Sequence, residues 1–234
     1  MRLALPRFIS IFVLTALIIG AGLFWWSTHG ARSAAEPSVY VALGASDAVG
    51  VGADHPTSEG WVPLVSQALP DNPQLINLGI SGATLSDIIS QELPVALDAR
   101  PAWVTIWPGI NDLRHGVSRE TFAANLDALL EQLAQQTTAR VVVLNMPDLR
   151  LVPAFASVDQ VSLEQAVRDW NDTIARAAHQ HNAILVDLYG HSDEIAGHEE
   201  DISSDGFHPS TAGYRRIADL VMKTVQAHDA ATTP

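Results

Sequence analysis

Three side chains in the sequence occur in settings that suit nucleophilic catalysis. Ser46 follows an apolar run and a Gly-Ala pair, so its hydroxyl can stand clear of a strand end. Asp205 precedes His208 by three residues, and a turn of this length brings a carboxylate onto one nitrogen of an imidazole ring. The other nitrogen is then free to take the proton of a serine, which is a weak nucleophile without such a base. These residues predict acyl transfer by a Ser-His-Asp triad.

Two further segments supply hydrogen-bond donors for the negative oxygen that forms during acyl transfer. Gly79 lies in the segment Asn-Leu-Gly-Ile-Ser-Gly at 77–82, where the missing side chain lets another group approach the backbone. Asn111 lies in the segment Gly-Ile-Asn-Asp at 109–112, and its neutral amide suits a developing oxyanion. We therefore predict an oxyanion hole made of the Ser46 and Gly79 amides and the Asn111 side chain.

The elements that must position these residues alternate along the chain. Short β-rich runs are followed by helical stripes of apolar residues, and the runs themselves are almost continuously apolar. This pattern predicts an α/β domain, with a parallel sheet covered by helices on both faces. Ligands bind such sheets at the carboxyl ends of the strands, where the chemical segments lie. The predicted strands are Val39–Leu43, Gln74–Leu78, Ala102–Trp107, Arg140–Leu144 and Ala183–Leu188.

Two local features of the predicted helices follow from single residues. Ser162, with Gln165 three residues later, is typical of a capping box at the start of a helix. Pro94 is expected to interrupt the helical stretch near residues 85–97, because proline has no amide hydrogen to donate.

The four chemical segments resemble the sequence blocks of the SGNH hydrolase superfamily, also called GDSL-type lipases and esterases. The similarity covers roughly residues 39–228. Ser46 matches the family's nucleophile and Gly79 its oxyanion glycine. Residues 109–112 match the Gly-x-Asn-Asp block, and residues 205–209 match the Asp-x-x-His-Pro block. The resemblance implies ester hydrolysis without metal or cofactor, on a three-layer α/β/α flavodoxin-like fold with a five-stranded parallel sheet.

One block departs from the family pattern. The usual Gly-Asp-Ser-Leu is Gly-Ala-Ser-Asp at residues 44–47, so the acid before the serine is missing and Asp47 follows it. The triad acid is a different residue, and we expect the chemistry to survive. What supports the nucleophile loop is left open: Asp47 either hinders deprotonation of Ser46 or caps the following turn.

The N-terminal segment predicts a membrane anchor. Residues 8–26 are apolar and uncharged, and a run of about 20 such residues fits the hydrocarbon core of a bilayer. Arg2 and Arg7 precede the run, which favours a cytoplasmic N-terminus and places the predicted domain after residue 38 outside the cytoplasm. A transmembrane helix is therefore expected before the folded domain. The alternative is a cleaved secretory signal, because residues 33–35 (Ser-Ala-Ala) resemble a cleavage site; the body would then be secreted.

These patterns divide the chain into four predicted parts. They are a cytoplasmic stub with an anchor or signal peptide (1–26), a linker (27–38), the hydrolase domain (39–228) and a flexible tail (229–234).

The composition argues against several other kinds of protein. There is no cysteine, which excludes disulfides, thiolate metal sites and a cysteine nucleophile. Acidic residues outnumber Lys and Arg by 26 to 13, so a nucleic acid is not an expected partner. The acidic loop around His191 and His198 is a candidate for a weak cation site, but we favour a solvated loop. We therefore predict no metal ligands and no cofactor.

The loop after the fourth predicted strand is unusually apolar for a connection. We predict that four of its residues line an acyl pocket or form a lid: Leu149, Leu151, Val152 and Phe155. The alternative is that they pack under the neighbouring helix. The predicted substrate is an ester of a small molecule, a lipid or an acylated glycan.

Three functions remain open at this point. The first is an exported, membrane-anchored serine ester hydrolase. The second is a non-catalytic envelope module that binds a lipid or glycan on a hydrolase scaffold, as the substitutions around Ser46 would allow. The third is an acyltransferase that uses the same triad but passes the acyl group to an alcohol instead of water.

Overall fold

The computed structural model describes residues 38–232 of the chain, so the predicted anchor and most of the linker lie outside the described residues. The sheet has five parallel strands in the order β2-β1-β3-β4-β5, which confirms the predicted flavodoxin-like order. The first and fourth strands have the predicted bounds, and the other three are shorter. The strands are β1 (Val39–Leu43), β2 (Gln74–Asn77), β3 (Trp103–Ile106), β4 (Arg140–Leu144) and β5 (Ile184–Val186).

The strand order creates a crevice at the carboxyl ends of β1 and β3. The chain moves from β1 to β2 on one side and then returns to β3 on the other side of β1. Leu43 pairs with Ile106, so β1 and β3 end at the same level. The loops that follow them leave in opposite directions, and the space between them is the usual ligand site of this fold.

Helices cover both faces of the sheet, which explains why the strands are apolar on both sides. Val41 and Leu43 of β1 pack on one face of the sheet against the helices that contain Leu85, Phe122 and Leu163. Tyr40 and Ala42 pack on the other face against the helices that contain Trp61 and Tyr214. In residues 38–232 no helix is both long and apolar enough to span a bilayer. The helices are α1 (Ser46–Val49), α2 (Pro56–Glu59), α3 (Trp61–Ala68), α4 (Leu85–Asp87), α5 (Leu93–Asp98), α6 (Ile110–Arg114), α7 (Arg119–Gln136), α8 (Gln160–Gln180), α9 (Ser192–Ala196) and α10 (Thr211–Thr232).

Helix boundaries differ from the predictions at two places. The predicted cap at Ser162 is wrong: α8 begins at Gln160, and the Asp159 carboxylate accepts the Ser162 amide hydrogen at 2.9 Å. The last helix continues past residue 228 to Thr232, and Asp229 is paired there with Arg140 of β4. The helical part of the domain therefore extends into the segment predicted as a tail.

The predicted interruption at Pro94 takes the form of a π-helical turn. Residues Ile88–Glu92 form this turn between α4 and α5, and Pro94 lies in the first turn of α5. A wider turn suits this place, because proline at 94 cannot donate the α-helical hydrogen bond to the carbonyl four residues earlier.

Candidate active site

The structure brings the three predicted triad residues into one hydrogen-bonded chain. Ser46 is the first residue of α1, directly past the end of β1. His208 lies in a loop that an isolated bridge between Ile202 and Pro209 closes before α10. The Ser46 Oγ is 2.8 Å from His208 Nε2, and His208 Nδ1 is 2.6 Å from Asp205 Oδ2. This arrangement can move a proton from the serine to the imidazole.

The Asp205 carboxylate is held by four hydrogen bonds. Its Oδ1 accepts the amide hydrogens of Phe207 and His208 at 2.8 and 2.9 Å, and the Ser203 hydroxyl at 2.8 Å. Burial acts to raise the pKa of Asp205, but the bonds from the His208 ring and from these donors outweigh it and hold the pKa well below its usual range. Asp205 is therefore a carboxylate at neutral pH and orients the imidazole.

A glycine missed by the sequence analysis lets two loops meet at the histidine. Gly52 follows α1 with a φ of +100°. A Cβ at this position would collide with the Pro209 carbonyl oxygen and lie 3.0 Å from the His208 Cβ. The Tyr214 hydroxyl of α10 donates to the Val51 carbonyl oxygen at 2.7 Å, beside the same contact. The nucleophile loop and the histidine loop are therefore packed backbone against backbone.

Asn111 lies at the predicted place, on the far side of the crevice. It is buried in the first turn of α6, and its Nδ2 donates one hydrogen to the Ala83 carbonyl oxygen at 3.0 Å. The amide has a second hydrogen to offer, and Asn111 lines the same cavity as Ser46. Asp112 accepts the Leu85 amide hydrogen with both carboxylate oxygens at 3.1 Å, which braces the loop.

Gly79 does not offer its amide to the crevice. Its N–H donates to the Asn77 Oδ1 at 3.1 Å, so the predicted oxyanion contact is absent in this conformation. The glycine has a packing role instead, since a Cβ there would lie 2.8 Å from the Ala48 Cβ and 3.0 Å from the Ala45 carbonyl oxygen. Gly79 therefore supports the nucleophile loop from below.

Gly82 has the free amide that was predicted for Gly79. Its φ is +85°, and no atom lies within 4 Å of the place where a Cβ would stand. Within residues 38–232 its N–H has no acceptor, and it directly precedes Ala83, the residue whose carbonyl holds Asn111. The signal in the sequence was Asn77 itself, since Asn commonly bonds the backbone two residues later.

An apolar cavity opens beside Ser46 and His208. Two of the four residues predicted for an acyl pocket or lid, Leu149 and Val152, line this cavity. Leu151 lies outside this cavity and is 36% exposed, and Phe155 packs into the core with its ring 6.0 Å from that of Phe207. The cavity offers about 50 Å³ to the centres of water-sized groups. Its other apolar walls were not predicted from the sequence and include Trp107, Ile110, Pro147, Ile195, Ile202 and Ile217.

Two carboxyl groups lie under the nucleophile turn. The Asp47 side chain does not cap α1, and its Oδ2 is buried without a hydrogen-bond partner in the described part of the chain. Burial raises the pKa of Asp47 to about 7. The Glu92 carboxyl group, at the end of the π-helical turn, accepts the Gly44 amide hydrogen at 2.9 Å. Nothing in the sequence marks Glu92 as close to Ser46.

The acidic loop around α9 shows no metal centre. Across residues 38–232 no group of three or more His, Asp or Glu side chains is placed to hold a metal ion. His191 instead pairs with Glu194 at 3.1 Å.

The profile of the GDSL-like lipase/acylhydrolase family matches residues 42–216, which is most of the chain. The chain belongs to this family. The predicted membership of the SGNH superfamily is thereby confirmed, and the chain is a hydrolase of ester bonds.

Individual relatives are similar over most of their length. Esterase TesA of Pseudomonas aeruginosa is 25% identical over 195 residues, which cover 82% of this chain and 90% of TesA. A solved structure of TesA covers 81% of this chain and 99% of its own, with a TM-score of 0.64. An acetylxylan esterase of Geobacillus stearothermophilus is 22% identical over 162 residues, 65% of this chain and 72% of the relative. A hydrolase from the metagenome of Lake Arreo shares the fold, with 22% identity, a TM-score of 0.66 and coverage of 81% and 95%.

Proposed function

We propose that this GDSL-like hydrolase cleaves carboxylic esters through an acyl-enzyme on Ser46. The observation that carries the proposal is the continuous hydrogen-bond chain from the Ser46 hydroxyl through His208 to Asp205. The Ser46 Oγ attacks the ester carbonyl carbon while His208 Nε2 takes its proton. The bond to the alcohol oxygen then breaks, and His208 returns the proton to the leaving alcohol. Water repeats the sequence on the acyl-enzyme and releases the acid.

The negative oxygen of each tetrahedral intermediate needs fixed donors. We assign them to the Ser46 amide, the free Gly82 amide and the second hydrogen of the Asn111 side chain, so that Gly82 replaces Gly79 in this role. Such donors act at the moment charge develops and need no rearrangement, which is why each contributes strongly to turnover.

The cavity favours a short acyl chain. Its space is small, about 50 Å³ for the centres of water-sized groups, which suits a short acyl group better than a long chain. Leu149 and Val152 would contact the acyl group, whereas Leu151 would lie outside it. The alcohol would face solvent, which leaves room for a lipid or a glycan. One relative is an acetylxylan esterase, which agrees with a short acyl group.

The decisive experiment is labelling with a fluorophosphonate, followed by hydrolysis of p-nitrophenyl esters from acetyl to palmitoyl. We expect labelling that is lost in Ser46→Ala, and a kcat/KM for acetate or butyrate about tenfold or more above that for palmitate. A folded wild-type protein that neither labels nor turns over would favour a binding module instead. An added alcohol acceptor that captures most of the acyl group would identify a transferase.

The location of the enzyme is a separate part of the proposal. Residues 8–26 support an uncleaved anchor that holds the domain outside the cytoplasm, with the short N-terminus inside. Membrane fractionation and N-terminal sequencing of the mature protein test this. An intact N-terminus in the membrane fraction, with the domain open to added protease on the outer side, is the expected result; a soluble protein beginning after residue 35 would show cleavage.

A further inference from the structure

Glu92 is a buried acid whose side chain contacts the backbone two residues before Ser46. Its side chain is 1% exposed, and its Oε2 accepts the Gly44 amide hydrogen at 2.9 Å. We propose that Glu92 is a positioning residue for Ser46, which fixes the turn between β1 and α1 by holding the Gly44 amide. The proposal rests on the ester hydrolysis at Ser46 proposed above, and it assigns a support to the nucleophile loop that lacks the usual acid before the serine.

Two hydrogen bonds fix the backbone at Gly44, one to its carbonyl oxygen and one from its amide. The Gly44 carbonyl oxygen accepts the Ile80 amide hydrogen at 3.1 Å, and the amide on the other side of the residue goes to Glu92. Gly44 is buried, so water cannot replace either partner. Without an acceptor the amide would be unsatisfied, and the peptide would tend to rotate. Because Ser46 begins α1 two residues later, such a rotation would move its hydroxyl.

Glu92 is the last residue of the π-helical turn and faces inward. Ile88–Glu92 closes with the Leu93 amide bonded to the Ile88 carbonyl, one residue wider than an α-turn. Its neighbours Ser90 and Gln91 are exposed, whereas Glu92 is buried against the loops of the active site. Wide turns of this type often occur at functional sites. Helical periodicity predicts an apolar side chain at this buried position, which here carries a carboxyl group.

The carboxyl group holds its proton at neutral pH. Burial raises the pKa of Glu92 most, the Gly44 bond opposes this, and the charge of Asp47 raises it further, to about 8. The charged groups that act on it are acidic as well: Asp47 from α1 and Asp87 from α4. Loss of the proton would place a negative charge at the base of the nucleophile turn, which would oppose the negative charge that develops on the oxyanion and lower kcat at alkaline pH.

The test compares two substitutions in the full-length protein. Glu92→Gln keeps an oxygen for the Gly44 amide but cannot ionise. Glu92→Leu has a similar volume and no acceptor. Glu131→Gln and Glu131→Leu, on the exposed face of α7, are the matched controls. Each variant is assayed for kcat and KM on p-nitrophenyl acetate between pH 6 and 10, for the rate of fluorophosphonate labelling, and for its thermal unfolding midpoint.

We expect Glu92→Leu to lower kcat and the labelling rate about tenfold or more, with little change in KM, while the control variants keep wild-type values. Glu92→Gln should retain kcat at pH 7 and stay active to a higher pH than the wild type. Wild-type kcat in Glu92→Leu would overturn the proposal, and so would a loss in Glu92→Gln as large as in Glu92→Leu. A wild-type protein without esterase activity or labelling would instead refute the proposed function, so the two failures are distinguishable.

Discussion

The Asp205 side chain stabilises the fold of the histidine loop and also fixes the tautomer of the histidine ring. One oxygen binds two amides and the Ser203 hydroxyl, which fold the loop, and the other oxygen binds the ring nitrogen that faces away from Ser46. Different oxygens make these two sets of contacts. A side-chain amide in place of the carboxylate can therefore keep the loop folded and still disturb the histidine ring.

Replacing Asp205 by Asn should therefore abolish most turnover without unfolding the protein. The Asn Oδ1 can still accept the loop amides, but its NH₂ group would face the ring and favour the wrong tautomer. We expect kcat to fall by about 10²–10⁴, as for other triads, with an unfolding midpoint near that of the wild type. Steady-state kinetics and circular dichroism measure the two effects. Wild-type kcat in this variant would remove Asp205 from the mechanism.

Asn111 offers the clearest test of the oxyanion hole. Asn111→Ala removes a donor that acts on the intermediate, so kcat should fall by about 10²–10³ while KM changes little. Asn125→Ala, on α7 away from the cavity, is the control and should keep wild-type kcat. A variant that loses affinity and keeps kcat would indicate that Asn111 binds the substrate and not the oxyanion.

At the scale of elements, the active site depends on close contact between the loops after β1 and before α10. Gly52 is the point of contact, because its missing side chain leaves room for the backbone at His208 and Pro209. Its positive φ adds a second reason for glycine. The position therefore sets the distance between nucleophile and base without touching the substrate.

A methyl group at position 52 should separate the two loops. For Gly52→Ala we expect a lower kcat and slower fluorophosphonate labelling, because the Ser46–His208 hydrogen bond lengthens. Gly116→Ala is the control: it also has a positive φ, but no atom lies within 4 Å of its Cβ position. If both variants lose kcat equally, backbone strain and not loop contact is responsible.

The sequence predicts the elements well where the apolar pattern is uninterrupted, as in β1 and β4. It fails where two signals compete. Asp159 and Ser162 are both good helix caps, and the earlier one adds a turn to α8. Gly79 and Gly82 both suit a close approach, and only the bond from Asn77 shows which amide is free. Glu92 could not be identified from the sequence, because helical spacing from Leu85 places position 92 on the buried face but does not show that its carboxyl group meets the Gly44 amide.

At the scale of the whole molecule, the buried acids link stability to pH. The pKa of Glu92 is raised from 4.5 to about 8 in the folded state, so the folded protein binds more protons than the unfolded chain between these values. Stability is then fully present below about pH 4.5 and is lost as the pH rises through 8. Asp47 acts in the same direction. Asp205 has a lowered pKa and acts in the opposite direction, but only as the pH falls below its usual range.

Glu92→Gln should flatten this pH dependence. Urea unfolding at pH 5 and pH 9 should show a larger loss of unfolding free energy in the wild type than in the variant, by on the order of 3 kcal/mol. Glu131→Gln should keep the wild-type slope. Parallel curves for wild type and Glu92→Gln would mean that Glu92 is already ionised at pH 5.

The order of the triad along the chain has a consequence for biosynthesis. Ser46 follows β1, whereas Asp205 and His208 come after β5. A nascent polypeptide therefore carries its serine without a base to activate it until the segment after β5 has been made. A product truncated before residue 205 has the nucleophile but neither the acid nor the base of the triad, and we expect it to be inactive.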